Sequence, residues 1–376
     1  MIIKSITLSL SLAIILFTIP TAASAREAHE ARQAKATNAP VFDVAALDNI
    51  VSTHMRERSI PGVAVAVTYQ GRAIYKKGFG KANIEHDIAV TPDSVFAIAS
   101  VSKPIIAMGV MLLVEQGKLS LDDPVSKHIP DTPSTWKPIT LRHLLNHTAG
   151  LVRESPLFDG NKTQADIDLI KATFPLPLDF ATGTKFQYCN ICYFTLAEII
   201  TRVSGEPWPS FMTKNLFAPA GMQATRTTST SAVIPNRVAS YSFKDGIYSV
   251  EREYVALRPS GAFVSSINDL IKLEAALYGN KLLSTAILTS MAQPAKFNDG
   301  SQALFFDAPN TGYGLGFALA TFNGQPRVWH GGSLAGFRTA YMRYPESGVA
   351  IIVLTNLATA RPNLIEADIA KVVLTK

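Results

Sequence analysis

Apolar residues recur at helical spacing in VFDVAALDNIVSTHMRER (41–58), which predicts an N-terminal helix. The pattern then changes to two strand-like runs in GVAVAVTYQGRAIYKKGFGKA (62–82), with Gln70-Gly71 as the hairpin turn between them. SVSKPIIAMGVMLLVEQGKLS (100–120) is apolar on every side as far as Gly117, the pattern of a buried helix. From about 118 to 260, helical patches alternate with loops of Pro, Gly, Ser and Thr; ITLRHLLNH and CYFTLAEIITRVSG are the clearest. FVSSINDLIKLEAALYG opens another helix, with Ser265 or Ser266 as its cap and Asp269 in the first turn. After it the period shifts to strands: YGLGFALATF, PRVWHGG, GFRTAYMRYP and GVAIIVLTN. The last two meet at the turn Pro345-Glu346-Ser347-Gly348, and LIEADIAKVVLT closes the chain as a helix.

Strands at both ends with helices between them predict an α+β fold. One mostly antiparallel sheet is built from both termini and flanked by helices, with an all-helical lobe inserted. The α/β lobe takes residues of about 41–117 and 261–376, the helical lobe about 118–260. The cleft between lobes is the default place for a site.

The first 25 residues change the picture of the mature chain. MIIKSITLSLSLAIILFTIPTAASA has one positive charge, Lys4, then an apolar stretch and the small-residue ending Ala23-Ser24-Ala25. That is the pattern of a cleaved secretory signal, which places the protein in the periplasm or outside the cell, with cleavage after Ala25. Residues 26–40 read as a loose polar leader, and 41–376 as the folded domain. No later stretch is apolar enough to predict a membrane span. The formal net charge of +6 is scattered, without the Lys/Arg runs of a nucleic-acid binder. The two cysteines, Cys189 and Cys192, stand in YCNIC outside any thioredoxin-like context, and two small buried thiols are the expected state.

Within FAIASVSKPIIA, Lys103 sits three residues after Ser100 in an otherwise apolar or small run. At a helix start the two side chains share a face. A serine hydroxyl needs an adjacent base to become a nucleophile, and burial with nearby positive potential lowers a lysine pKa enough to supply one. The same spacing recurs at Ser134-Thr135-Trp136-Lys137, between Pro133 and Pro138, where an extended connection leaves the lysine in water. Context therefore favours Ser100. Further along lie Tyr188-x-Asn190 before a helix and His330-Gly331-Gly332-Ser333 in a strand.

In this order the three motifs resemble those of the serine penicillin-recognising enzymes, the β-lactamase/transpeptidase-like fold. The branch they look like is class C β-lactamases with their D,D-peptidase, D-aminopeptidase and esterase relatives. GKLSLDDPVSKHIP, ITLRHLLNHTAGL, PSGAFVSSINDL, YGLGF and GVAIIVLTN are also similar, so the resemblance runs over about 45–358. It implies Ser100 as acylated nucleophile, with Lys103 and Tyr188 as the proton-transfer pair. It also implies backbone N–H groups of Ser100 and Ser333 as oxyanion hole, and Asn190, His330, Gly331 and Gly332 on the substrate. No cofactor and no metal are implied.

One departure bears on substrate. Class C β-lactamases usually carry lysine where this chain has His330, and a neutral imidazole offers one hydrogen bond in place of a fixed charge. Small esters are therefore the expected substrates, with D-amino-acid peptides next and β-lactams third. Loops at about 152–185 and 220–260, including SPLFDGNKTQ and FPLPLDF, are the candidates for setting the acyl group. A silent penicillin- or peptide-binding protein is the rival of another class, and the intact motif set speaks against it. An α/β-hydrolase reading fails because Gly331 and Ala335, not two glycines, flank Ser333. A zinc helix at His143 and His147 lacks the catalytic glutamate.

Overall fold

A computed structural model describes residues 39–229, 231–251, 258–261 and 263–374. The signal segment 1–25 and most of the leader lie outside the described residues. From Phe42 onward the chain packs as one unit. Helix α1 (Val44–Arg58) leads into β1 (Gly62–Tyr69) and β2 (Arg72–Asn83). The two strands turn at Gln70 and Gly71, both with positive φ (50° and 75°), the conformation of a tight hairpin turn. A short strand β3 (Ile88–Ala89) follows. The C-terminal part supplies β4 (Thr311–Tyr313), β5 (Ala318–Phe322), β6 (Gln325–Leu334), β7 (Phe337–Tyr344) and β8 (Val349–Thr355). They assemble into an eight-stranded antiparallel sheet in the order β3-β2-β1-β8-β7-β6-β5-β4.

The run GVAVAV is apolar throughout because β1 is covered on both faces. Ala64 and Ala66 enter a core shared with the helices, whereas Val63, Val65 and Val67 enter a second core beneath α1 and the C-terminal helix. Helix α2 (Ser102–Glu115) is buried from Ser102 to Leu113, as its all-round apolarity predicts, and Gly117 (φ 70°) follows its end. The insertion is helical through α3 (Leu141–Leu145) and α4 (Asn190–Ser204), the latter ending on Gly205 in the left-handed region. Beyond 220 it also carries short strands. Arg226–Thr227 and Phe96–Ala97 flank Phe263–Ser265 in a small sheet, and Tyr241–Lys244 pairs with Ile247–Val250 across Asp245-Gly246. Helix α5 (Ile267–Tyr278) is capped by Ser266, whose hydroxyl accepts from Asp269 N–H, and α6 (Pro362–Val373) closes the chain.

Two expectations are corrected. Cys189 and Cys192 form a disulfide, not two thiols. The first turn of α4 brings their Cα atoms to 5.4 Å, within bridging range, and spacing along the chain could not show that. Ser134 lies in a single 3-10 turn (Ser134–Trp136) instead of an extended connection, since Trp136 turns inward to full burial. Ser134 and Lys137 are both exposed.

Candidate active site

The strand Phe96–Ala97 delivers the chain to Ala99, whose φ of 49° is an unfavourable conformation for a residue with a Cβ. Tertiary contacts hold it. Ile98 N–H donates to Phe263 O (3.0 Å), and Thr339 Oγ1 donates to Ile98 O (3.1 Å). The chain then passes through a 3-10 turn, Ala99–Val101, into α2, so Ser100 stands just ahead of the helix and remains partly exposed. Strand β6 presses on this turn: a Cβ on Gly332 would lie 2.3 Å from Ile98 O and 2.1 Å from Thr339 Oγ1. Gly332 is thus the residue that lets the Ser100 turn and the strand meet.

Lys103 is fully buried in the first turn of α2. Its Nζ donates to Asn190 Oδ1 (2.9 Å) and to Ser260 O (2.8 Å), and lies 3.3 Å from Ser100 Oγ. Burial holds its pKa well below the ordinary 10.5, with Arg258 adding positive potential. A neutral amine has two N–H groups, and both have acceptors here in Asn190 and Ser260. Its lone pair is then left to face Ser100 Oγ.

Tyr188 packs over this ammonium position, with Lys103 Nζ 4.6 Å from its ring centre, and its hydroxyl reaches Ser100. Burial raises the phenol pKa. Asn190 is oriented from behind: its Nδ2 donates to Glu154 Oε2 (2.9 Å), which also faces Arg258 at 3.5 Å. The Cys189–Cys192 bridge lies between and beyond these two site residues, at the N-terminus of α4.

His330 is 3% exposed, on β6. Burial and the neighbouring Lys103 push its pKa down to about 3, so it is neutral over the working range. Its Nδ1 lies 2.7 Å from Gly331 O, an atom that only accepts, so the imidazole N–H is committed to the backbone and Nε2 is an acceptor. Strand β5 pairs with β6 only as far as Ala318↔Trp329. Among the described strands, the cleft-side edge of residues 330–334 therefore has no neighbour.

Ser100, Tyr188, Asn190, His330, Gly331, Gly332 and Ser333 line one cavity of about 740 Å³. Phe305, Phe306, Trp329 and Leu334 supply apolar wall. The FPLPLDF segment is not among the lining residues; Phe180 O lies 2.2 Å from where a Cβ of Gly150 would stand, so it packs against that loop instead. Of the loops named as acyl-selecting, Arg153, Arg258 and Ser260 do reach the cavity. His143 and His147 are engaged separately. His143 Nδ1 accepts from Thr140 N–H (3.2 Å), and His147 Nδ1 accepts from Cys189 N–H (3.1 Å).

Sequence reasoning missed Glu154, Ser260 and Tyr313. Glu154 closely follows ITLRHLLNHTAGL, Ser260 lies in PSGAF and Tyr313 heads YGLGF, so the family-like segments were the available signal. Their contacts with Asn190, Lys103 and His330 are long-range and have no period in the sequence.

The model of the family described as Beta-lactamase matches residues 47–374. Penicillin-binding protein 4* of Bacillus subtilis is 30% identical over 76% of this chain, which spans 66% of that protein's length. The octameric penicillin-binding protein homologue of Pyrococcus abyssi superposes with a TM-score of 0.77 at 27% identity, covering 89% of this chain and 77% of that one. D-amino acid amidase from Ochrobactrum anthropi SV3 does so with 0.76 at 24% identity, covering 88% and 98%. The chain belongs to the Beta-lactamase family and is built on its fold.

Proposed function

We propose that the protein hydrolyses small neutral esters through an acyl-enzyme on Ser100. The observation that carries this reading is His330, a neutral imidazole with its N–H on Gly331 O where a fixed cation would hold a substrate carboxylate. Three of the cavity arginines are turned to carboxylates, Arg258 to Glu154, Arg327 to Glu366 and Arg338 to Glu251, while Arg153 lies over the Tyr188 ring, 5.7 Å from its centre.

Lys103 Nζ takes the Ser100 proton as Oγ bonds to the ester carbonyl carbon and the C=O π pair moves to oxygen. Backbone N–H groups of Ser100 and Ser333 receive that oxyanion. Its collapse breaks the bond to the alcohol oxygen, which leaves with a proton from Tyr188, and Tyr188 recovers one from Lys103. Water then repeats the sequence on the acyl carbon: it gives a proton to the Lys103–Tyr188 pair, and Ser100 Oγ departs with it. Gly331 and Gly332 keep the strand edge open to the substrate. The site sits between an α/β lobe (about 41–117 and 261–376) and a helical lobe (about 118–260). Export with cleavage after Ala25 accompanies this reading, and N-terminal sequencing of the mature protein should begin at Arg26.

A second reading has one observation in its favour. Glu154 Oε1 is buried beside Asn190 with no hydrogen-bond partner among the described residues, a place suited to a substrate ammonium. That favours amides or peptides of D-amino acids with a free amino group. The test is one panel of p-nitrophenyl butyrate, a D-alanyl dipeptide and a chromogenic cephalosporin, against wild type and His330→Lys. The ester should have the highest wild-type kcat/KM, and the lysine variant should gain on the cephalosporin. A cephalosporin that is the best wild-type substrate overturns the proposal. Fluorophosphonate labelling of the Ser100 peptide excludes the silent binder.

A further inference from the structure

We propose that Tyr313 is a positioning residue: it donates to His330 Nε2 and, with Gly331 O on the opposite nitrogen, fixes the imidazole so that it turns no N–H toward the Tyr188 hydroxyl. This rests on the Ser100–Lys103–Tyr188 reading above and adds to it the resting protonation state of Tyr188.

Tyr313 is fully buried on β4, with its hydroxyl 3.1 Å from His330 Nε2. Its second neighbour is the Tyr193 hydroxyl. Tyr193 gives its only proton to Leu145 O at 3.0 Å, so its oxygen can accept but not donate toward Tyr313. The one proton of Tyr313 therefore goes either to Tyr193 or to His330. Were His330 Nε2 itself the donor, Nδ1 would turn a lone pair at Gly331 O across 2.7 Å, and two acceptors would repel. The Nδ1–H tautomer removes that conflict, and an imidazole nitrogen is a stronger acceptor than a phenol oxygen. Tyr313 then donates to Nε2.

Tyr188 is the other hydroxyl at this nitrogen, at 3.5 Å. With the one Nε2 lone pair taken by Tyr313 and the ring N–H on Gly331 O, His330 gives the Tyr188 oxygen no proton, and a Tyr188 lone pair is left for Ser100, which it contacts. A lysine at position 330 would do the reverse, donating to the Tyr188 oxygen and favouring phenolate. Here Tyr188 stays a phenol in the resting enzyme, so the first proton goes to Lys103. The backbone supports this placement: Gly316, in the same YGLGF segment, has φ of 87°, and a Cβ there would lie 2.6 Å from Ala107 Cβ on α2.

The groups facing His330 are Lys103 from α2, His147 from the segment after α3, Tyr188, Tyr313 from β4, and Tyr341 from β7, whose hydroxyl is held by Glu274. A donor on Nε2 stabilises the neutral ring, so Tyr313→Phe raises the His330 pKa. The expected result is a kcat/KM for p-nitrophenyl butyrate lower by about tenfold, the scale of one hydrogen bond, with KM little changed and the His330 titration, followed by ¹⁵N NMR, moved upward. A purely structural tyrosine would lower stability and leave the His330 titration in place; that outcome overturns the proposal. Wild-type ¹⁵N-histidine NMR tests it without any variant. His330 should show a proton on Nδ1 and a lone pair on Nε2, and the opposite tautomer refutes it. Failure of Ser100 labelling in wild type would instead sink the acyl-enzyme reading, independently of the tautomer.

Discussion

Gly332→Ala should unseat the nucleophile without touching it. The added Cβ meets Thr339 Oγ1 at 2.1 Å, Ile98 O at 2.3 Å and Ala99 Cβ at 3.2 Å. Thr339 could rotate its hydroxyl away, but Ile98 O is backbone, one residue before the strained Ala99 and two before Ser100. Restoring ordinary contact requires the strand and the turn to separate by about 1 Å, since non-bonded carbon contacts lie near ~3.5 Å. Overpacking of that kind costs about 1–3 kcal/mol. A misplacement of about 1 Å at the reacting atoms lowers turnover on the order of 10²-fold. Urea denaturation and kcat for p-nitrophenyl butyrate read the two effects. Gly331→Ala is the control for stability: its Cβ would meet only Thr339 O at 3.6 Å and Trp329 at 3.8 Å. A Gly332→Ala protein with wild-type midpoint and turnover, or a Gly331→Ala protein equally destabilised, refutes the close-approach argument.

Ser100→Ala should abolish acyl transfer while Ser134→Ala leaves it intact, read by mass spectrometry of the labelled peptide and by turnover. Lys103→Arg should lose on the order of 10² or more in acylation, because guanidinium stays charged and cannot take the serine proton. In wild type, burial holds the Lys103 pKa well below 10.5; kcat/KM should fall as pH drops through that lowered value, and an acid limb near 10 would contradict the buried-base argument. The Cys189→Ala, Cys192→Ala pair should lower unfolding free energy by about 2 kcal/mol from chain entropy over so short a loop, with an equal midpoint with and without reductant; no change on removal argues that the bridge does not form in solution.

The sequence made legible whatever depends on local period and turn chemistry. Gln70-Gly71 announced its hairpin, the all-round apolarity after Ser102 announced a buried helix, and the spacing of Ser100 and Lys103 announced a shared face. Asp245-Gly246 was an equally good hairpin signal, but it lay in a stretch dominated by helical patches. What stayed illegible depends on distant segments meeting. Glu154 matters because it grips Asn190 across a fold. Tyr313 matters because β4 carries it to His330. The surroundings of His330 belong with these, since the carbonyl that its Nδ1 meets has a direction only the strand geometry reveals.

The register of the central sheet has a kinetic consequence. Val63 pairs with Thr355, and β8 is the last strand of the chain. Closing a loop of that length carries a large entropic cost before any contact rewards it, and such long-range pairings slow folding. During synthesis the first hairpin emerges with one edge unmatched, and it stays so until the C-terminal strands follow. Ser100 belongs to the early part of the polypeptide and His330 to the late part, so the two sides of the cavity come together only at that closure. Until then the unmatched β1 edge is the segment most exposed to wrong pairing.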